Sequence, residues 1–125
     1  MDLFNYSRRA THEVNVGITP LGGNNPIRVQ SMTNTSTRDT EGCVAQAKRI
    51  VEAGGEYVRL TTQGTAEAEN LKNINAGLRE QGINTPLVAD VHFTPRIVLT
   101  YGYYKPENYI LGTSLEKTMQ TKVRR

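Results

Sequence analysis

The sequence predicts an α/β fold built on a parallel sheet, and three observations predict it. Apolar, β-forming runs alternate with segments of helical period. Glycines stand where each helix should stop. The connections between elements are short. Taken in order, the first dozen residues are polar. Val14-Asn15-Val16 alternates, and a Pro20-Leu21-Gly22-Gly23-Asn24-Asn25-Pro26 turn cluster separates it from Ile27–Met32. Two short strands around such a cluster predict a hairpin. Thr33–Thr37 reads as a Ser/Thr/Asn-rich loop. A helix is expected over about Thr40–Ala53, with Asp39, or Thr37, as its N-cap. Val44, Ala47, Ile50 and Val51 recur at helical spacing and should form its buried face.

The second strand is expected over Glu56–Thr61, which is rich in β-formers. Thr65 should cap a second helix ending near Glu80, with Ala68, Leu71, Ile74 and Leu78 on one stripe and Gly82 closing it. Pro86–Val91 is a near-continuous apolar run and reads as a strand covered on both faces. A doubly wound sheet and a (β/α) barrel both begin in this way. The turn after the first long strand, Thr33–Thr37, lacks the Gly-x-Gly-x-x-Gly fingerprint of a dinucleotide site. After Phe93 the pattern weakens. Residues 1–95 are therefore assigned to the barrel-like portion, and residues 96–125 to a divergent, irregular tail.

Composition narrows the functional classes. With 125 residues, 37% hydrophobic and 22% charged, the chain resembles an ordinary soluble protein. It carries no apolar stretch of the roughly 20 residues a membrane helix requires, and its N-terminus lacks a signal-type apolar core. A single cysteine, Cys43, forbids an internal disulfide. A cytoplasmic location is the expectation. The pI of about 9.2 invites a nucleic-acid reading. Residues 1–95, however, carry nine Lys/Arg against ten Asp/Glu, and the basic excess sits at the end, in Lys122-Val123-Arg124-Arg125. No basic helix with interleaved aromatics supports such binding. Neither a nucleic-acid nor a membrane partner is expected.

Ligands of parallel α/β folds sit beyond the carboxyl ends of the strands. The polar residues there are Ser31-Met32-Thr33, Arg59 with Thr61-Thr62-Gln63, and Asp90 with His92. Residues two apart in an extended segment face the same side. Asp90 and His92 thus juxtapose a carboxylate and an imidazole, suited to holding a hydroxyl or moving a proton. They suit equally a strand-end cap beside a partly buried ring. Arg59 lies within an apolar strand, where an unpaired charge is costly. Its planar fork suits a phosphate or an internal ion pair with Glu56, Asp90 or an acidic residue from the missing part of the barrel. The Thr33–Thr37 loop could offer hydroxyls and backbone N–H groups to an anion. Cys43 reads as core filler rather than as a nucleophile.

Three segments together carry a resemblance. Val29-Gln30-Ser31-Met32-Thr33-Asn34-Thr35, Tyr57-Val58-Arg59-Leu60-Thr61-Thr62-Gln63-Gly64 and Pro86-Leu87-Val88-Ala89-Asp90-Val91-His92-Phe93 resemble segments of the 4-hydroxy-3-methylbut-2-enyl diphosphate synthase family, at that family's spacing. The Thr-Gln-Gly ending resembles the larger form found in plants and Bacteroidetes. Coverage is about residues 12–95. The resemblance implies the N-terminal part of a (β/α)8 TIM-like barrel (βαβαβ), incomplete in this chain. It implies an oxidoreductase of the non-mevalonate route to isoprenoids, which reductively opens 2-C-methyl-D-erythritol 2,4-cyclodiphosphate. It also implies a [4Fe–4S] cluster on a separate domain, a flavodoxin or ferredoxin reductant, and a homodimer. By position, Arg59 would grip the diphosphate, Met32 and Thr33 would line the mouth, and Asp90 and His92 would be catalytic, orienting substrate or handling protons.

The chain departs from this family in two places. Lys105-Pro106-Glu107-Asn108-Tyr109 stands where the family's fourth-strand segment supplies another phosphate arginine. One cysteine also cannot hold a cluster that needs about four ligands. A whole barrel needs about 250 residues, and at most three of its strands are legible here. The expectation is an inactive fragment, arising from truncation or a shifted reading frame near residue 96. The alternatives are a fragment of a pterin-binding barrel enzyme and a stand-alone anion-binding module. An open sheet edge invites pairing with another chain, so the 13.9 kDa chain should self-associate in sedimentation velocity. A single monodisperse monomer with a sharp cooperative melt would contradict this.

Overall fold

The computed structural model describes residues 3–91 and 109–111. Its elements follow the order β1 (Gln30–Met32), α1 (Thr40–Glu52), β2 (Tyr57–Thr62), α2 (Thr65–Glu80), β3 (Leu87–Val91) and β4 (Tyr109–Leu111). The strands form one sheet in sequence order, β1-β2-β3-β4, and every pairing is parallel. A doubly wound sheet reverses its strand order at a switch point. Unbroken sequential order among these strands is instead the winding of a (β/α) barrel, of which this is the opening part.

Strand alternation sorts the side chains onto two faces. Val58 and Leu60 of β2 and Leu87, Ala89 and Val91 of β3 turn to one side. There they meet Cys43, Val44 and Ala47 of α1 and Ala68, Leu71, Ile74 and Leu78 of α2 in a single core. Ile50 and Val51, expected on the buried face of α1, pack against this core while only partly covered. The other sheet face carries Tyr57, Arg59 and Thr61, with Val88 and Asp90. At its lower end Val16 closes over Tyr57 and Val88. All five residues of β3 are buried, as a strand covered on both faces requires.

Local chemistry sets the helix limits. Asp39 caps α1 by accepting a 3.0 Å hydrogen bond from the Gly42 N–H. Gly54, at φ +101°, continues the chain in the left-handed region that glycine enters freely. α2 differs from expectation by one residue. Gly64, extended and without a side chain, is the cap residue, and Thr65 is the first residue of the helix. The Ala68 N–H bonds to the Gly64 carbonyl at 3.1 Å and so sets the start one residue earlier. The two helices approach closely at Gly77, where an added Cβ would lie 2.9 Å from Val44 Cγ2.

The predicted hairpin is replaced by a different arrangement. Val14 pairs with Leu21 in an antiparallel bridge within the turn cluster, not with the segment after it. The residues after the cluster turn to β2 instead. Arg28 donates to the Pro20 carbonyl and pairs with Glu56 at 2.8 Å. Glu56 Oε1 in turn accepts the Val29 N–H at 3.1 Å, and the Val29 carbonyl accepts the Glu56 N–H at 2.7 Å. The Tyr57 hydroxyl, on the same side, donates to the Thr19 carbonyl. This clasp holds residues 14–29 beneath the sheet.

β4 is a second addition to the sequence reading. It pairs with β3 through Leu87↔Tyr109, Val88↔Ile110 and Ala89↔Leu111. It lies inside the segment read as an irregular tail, because three residues are too few to display a period. Among the described residues the sheet therefore has four strands, one more than the three legible in the sequence. The rest of residues 96–125 lies outside the described residues.

The clasp predicts a pH dependence. The Val29 N–H first, and then the Arg28 guanidinium, hold the Glu56 carboxyl below its ordinary value of 4.5. A lowered folded-state value stabilises the fold above the unfolded value and is lost as pH falls through the folded one. Urea midpoints should therefore favour the parent chain over Glu56→Gln near pH 7, with the gap closing below about pH 4.5. A gap that does not change with pH would show that the carboxylate charge contributes nothing.

Candidate functional site

The upper, carboxyl-end part of the inner sheet face is polar. In register, Met32 lies opposite Arg59, and Thr61 lies opposite Asp90. Arg59 Nη2 sits 3.1 Å from Asp90 Oδ1, with side-chain exposures of 24% and 10%. Glu56, the other acid considered for Arg59, is committed to Arg28. Arg59 Nε is buried and makes no hydrogen bond. The guanidinium is thus half-satisfied: Asp90 engages one end of it and leaves its inner donor unmatched. A buried N–H without an acceptor costs about 1–3 kcal/mol, so the arrangement favours an added acceptor.

The remaining sequence-predicted residues fall as follows. Met32 follows the alternation onto the Arg59 face and is 43% exposed. Thr33 turns the opposite way and is buried. Its N–H bonds to the Arg59 carbonyl at 2.9 Å, while its Oγ1 has no partner. Met32 and Thr33 therefore sit at one strand end but look to different sides. His92 lies outside the described residues, so of the Asp90–His92 couple only Asp90 is placed. Cys43 is wholly buried and its thiol donates to the Ser36 carbonyl at 3.2 Å. Burial first, and the Asp39 charge second, push that thiol up from its ordinary value, as core filler requires.

The Thr33–Thr37 loop, which could have offered its N–H groups to an anion, spends two of them within the chain. Gln46, in the second turn of α1, accepts from the Asn34 N–H at 3.0 Å, the Thr35 N–H at 3.1 Å and the Thr35 hydroxyl at 2.8 Å. Its amide donates back to Asn34 Oδ1 at 2.8 Å. The Thr37 hydroxyl donates to the Thr61 carbonyl at 2.7 Å. Two of the N–H groups an anion would need are therefore already used. Pinned in this way, the loop forms one wall of an open pocket of about 220 Å³, completed by Thr61, Gln63 and Glu67. Glu67 escaped the sequence reading because it belongs to the helical stretch after the turn. Only the folded β2–α2 connection brings it to the β1–α1 loop.

An iron–sulfur cluster does not fit the residues described. Among them, no three His, Cys, Asp or Glu side chains gather where they could hold a metal. The single thiol is sealed in the core and held protonated, the form that does not ligate. No helix among the described residues is long and apolar enough to cross a membrane.

A sequentially wound parallel sheet, with both helices on one face and charged groups at the carboxyl end of the other, defines the class: a (β/α) barrel domain. Comparison with known proteins makes this specific. Residues 11–105 match the GcpE TIM-barrel domain, and the chain belongs to that family. It is 69% identical to the 4-hydroxy-3-methylbut-2-en-1-yl diphosphate synthase (flavodoxin) of Phocaeicola vulgatus, over 88% of this chain and 19% of that protein. The synthase of the same name from Bacteroides fragilis is 67% identical, over 88% of this chain and 18% of that protein. That of Leptospira interrogans is 50% identical, over 77% and 14%. The chain thus spans between about a seventh and a fifth of the length of these relatives.

The Gln46 clamp yields a prediction at the site. Gln46→Ala should speed amide hydrogen exchange at Asn34 and Thr35 by about tenfold, the equivalent of roughly 1.4 kcal/mol of lost hydrogen bonding. Protection in the centre of α1 should hold. Unchanged exchange at both amides would show that the loop is ordered by something else.

Proposed function

We propose that this chain forms the diphosphate-binding part of a 4-hydroxy-3-methylbut-2-en-1-yl diphosphate synthase. The reaction is the reductive opening of 2-C-methyl-D-erythritol 2,4-cyclodiphosphate. The observation that carries the reading is the Arg59–Asp90 pair on the inner face at the carboxyl end of the strands, in a chain of the GcpE family. A diphosphate wants a fixed guanidinium in a site of low dielectric. Asp90 holds Arg59 in place and leaves Nε without an acceptor. The ligand's phosphate oxygens supply that acceptor.

Within this reading Arg59 binds, Met32 and Thr33 line the mouth, and Asp90 with His92 orients substrate or handles the proton that must accompany an oxygen leaving as water. The electrons belong to chemistry that the described residues do not house. A [4Fe–4S] cluster would be held by residues other than those described, and the relatives' name points to flavodoxin as the reductant. The reading further includes a cytoplasmic setting and pairing of the complete enzyme as a homodimer. By itself the chain binds and does not turn over.

Isothermal titration with the cyclodiphosphate tests the proposal. The parent chain should bind it, and Arg59→Ala should weaken binding by about 10- to 100-fold, the cost of losing a charge-assisted contact of roughly 1.5–3 kcal/mol. Equal affinity in both chains would overturn the assignment of Arg59. Binding of a pterin in place of the diphosphate would favour a pterin-dependent barrel enzyme.

A further inference from the structure

The Arg59–Asp90 pair is balanced in charge, and an anion that reaches Arg59 breaks the balance. Asp90 Oδ1 sits 3.1 Å from Arg59 Nη2. Asp90 is 7% exposed, so water screens its carboxyl poorly. The charged residues packed around it on the described strands are few. β2 contributes Arg59 alone, β3 contributes Asp90 itself, and β1 and β4 contribute none. Glu56 is neutralised by Arg28 at the lower end of β2, and Glu67 pairs with Arg38 beyond its upper end. His92, two residues further along, lies outside the described residues.

Register puts the carboxylate on the ligand's path. Asp90 aligns with Thr61, two residues beyond Arg59 toward the carboxyl end, or about 7 Å nearer the opening. An anion that engages the unmatched Nε of Arg59 therefore comes to rest beside Asp90. The cyclodiphosphate cannot relieve this crowding by taking a proton itself. Each of its phosphorus atoms carries an ester oxygen and the bridging oxygen, which leaves one strongly acidic oxygen apiece. The second phosphate ionisation, near pH 6 in a monoester, is absent from it. One guanidinium then faces three negative charges in a poorly screened place. Like charges that share a site disfavour ionisation of the weakest acid among them. Here that acid is the carboxyl.

We infer that binding of the diphosphate draws one proton from solvent onto Asp90. The inference rests on the function proposed above, and it assigns the proton of the Asp90–His92 couple to the carboxyl. Without ligand, Arg59 keeps Asp90 ionised. In the complex the ligand takes over Arg59, and the neutral carboxyl becomes a hydrogen-bond donor toward the bound oxygens. The acid is supplied by the ligand's own charge and is present only while the ligand is bound.

Isothermal titration of the cyclodiphosphate in two buffers of different ionisation enthalpy counts the proton. At about pH 6 the parent chain should take up roughly half a proton or more per ligand. Its affinity should fall by about threefold per unit as pH rises from there, the slope that half a proton dictates. Asp90→Asn mimics the neutral form permanently, so it should bind with no uptake and with an affinity that does not change with pH. His92→Gln should keep the uptake, which decides the matter even if Asp90→Asn does not fold. Binding by the parent chain without uptake would overturn the inference and leave diphosphate binding at Arg59 standing. Uptake that survives Asp90→Asn, or that vanishes in His92→Gln, would do the same. A parent chain that does not bind the cyclodiphosphate would remove the proposed function and this inference with it.

Discussion

A charged side chain inside a covered sheet needs a partner, and here that partner is one strand away. Arg59 stands on β2 among buried apolar neighbours, and Asp90 on β3 lies 3.1 Å from its Nη2. The pair depends on parallel register. Thr61 aligns with Asp90, so the carboxylate sits two residues further along than Arg59, within reach of a long side chain that leans along its strand. A register slip of one residue would send Asp90 to the helix side, into the apolar core. Every polar group at the carboxyl end of the sheet takes its position from that alignment.

The lower half of the molecule serves the same end. Val16, Tyr57 and Val88 form a small apolar layer beneath the ion pair. Arg28 and Glu56 clasp the N-terminal segment so that Val16 reaches this layer. Burial is the largest influence on the Tyr57 hydroxyl and pushes it up from its ordinary value. The hydroxyl is thus kept as a donor to the Thr19 carbonyl. An apolar floor below Arg59 lowers the local dielectric and strengthens its attraction for the Asp90 carboxylate.

The upper half divides its work between two kinds of chemistry. The inner face presents a guanidinium with an unmatched donor. The pocket between the loops presents hydroxyls, an amide and a carboxylate. Gln46 makes the division possible, because by consuming the loop's N–H groups it leaves the pocket unattractive to anions.

Much of this was legible in the sequence, because much of it is local. Both helices, the Asp39 cap and the apolar stripe of α2 follow from spacing and from residue type within a few positions. The α/β class follows from their alternation with strands, and the three motif segments sufficed to point to the family. The choice of partners was not legible. Whether Arg59 would meet Glu56 or Asp90, whether Val14 would pair with Leu21 or with the segment beyond it, and where Glu67 would lie all depend on contacts between residues distant in sequence. β4 joins the sheet with three residues, held by β3 rather than by any pattern of its own. The sequence by itself determined the two helices, the strands β2 and β3 and the core between them, because propensity and periodicity act over a turn or two of chain. The tertiary structure alone decided which polar groups face one another, because register and loop packing are settled only when the strands align.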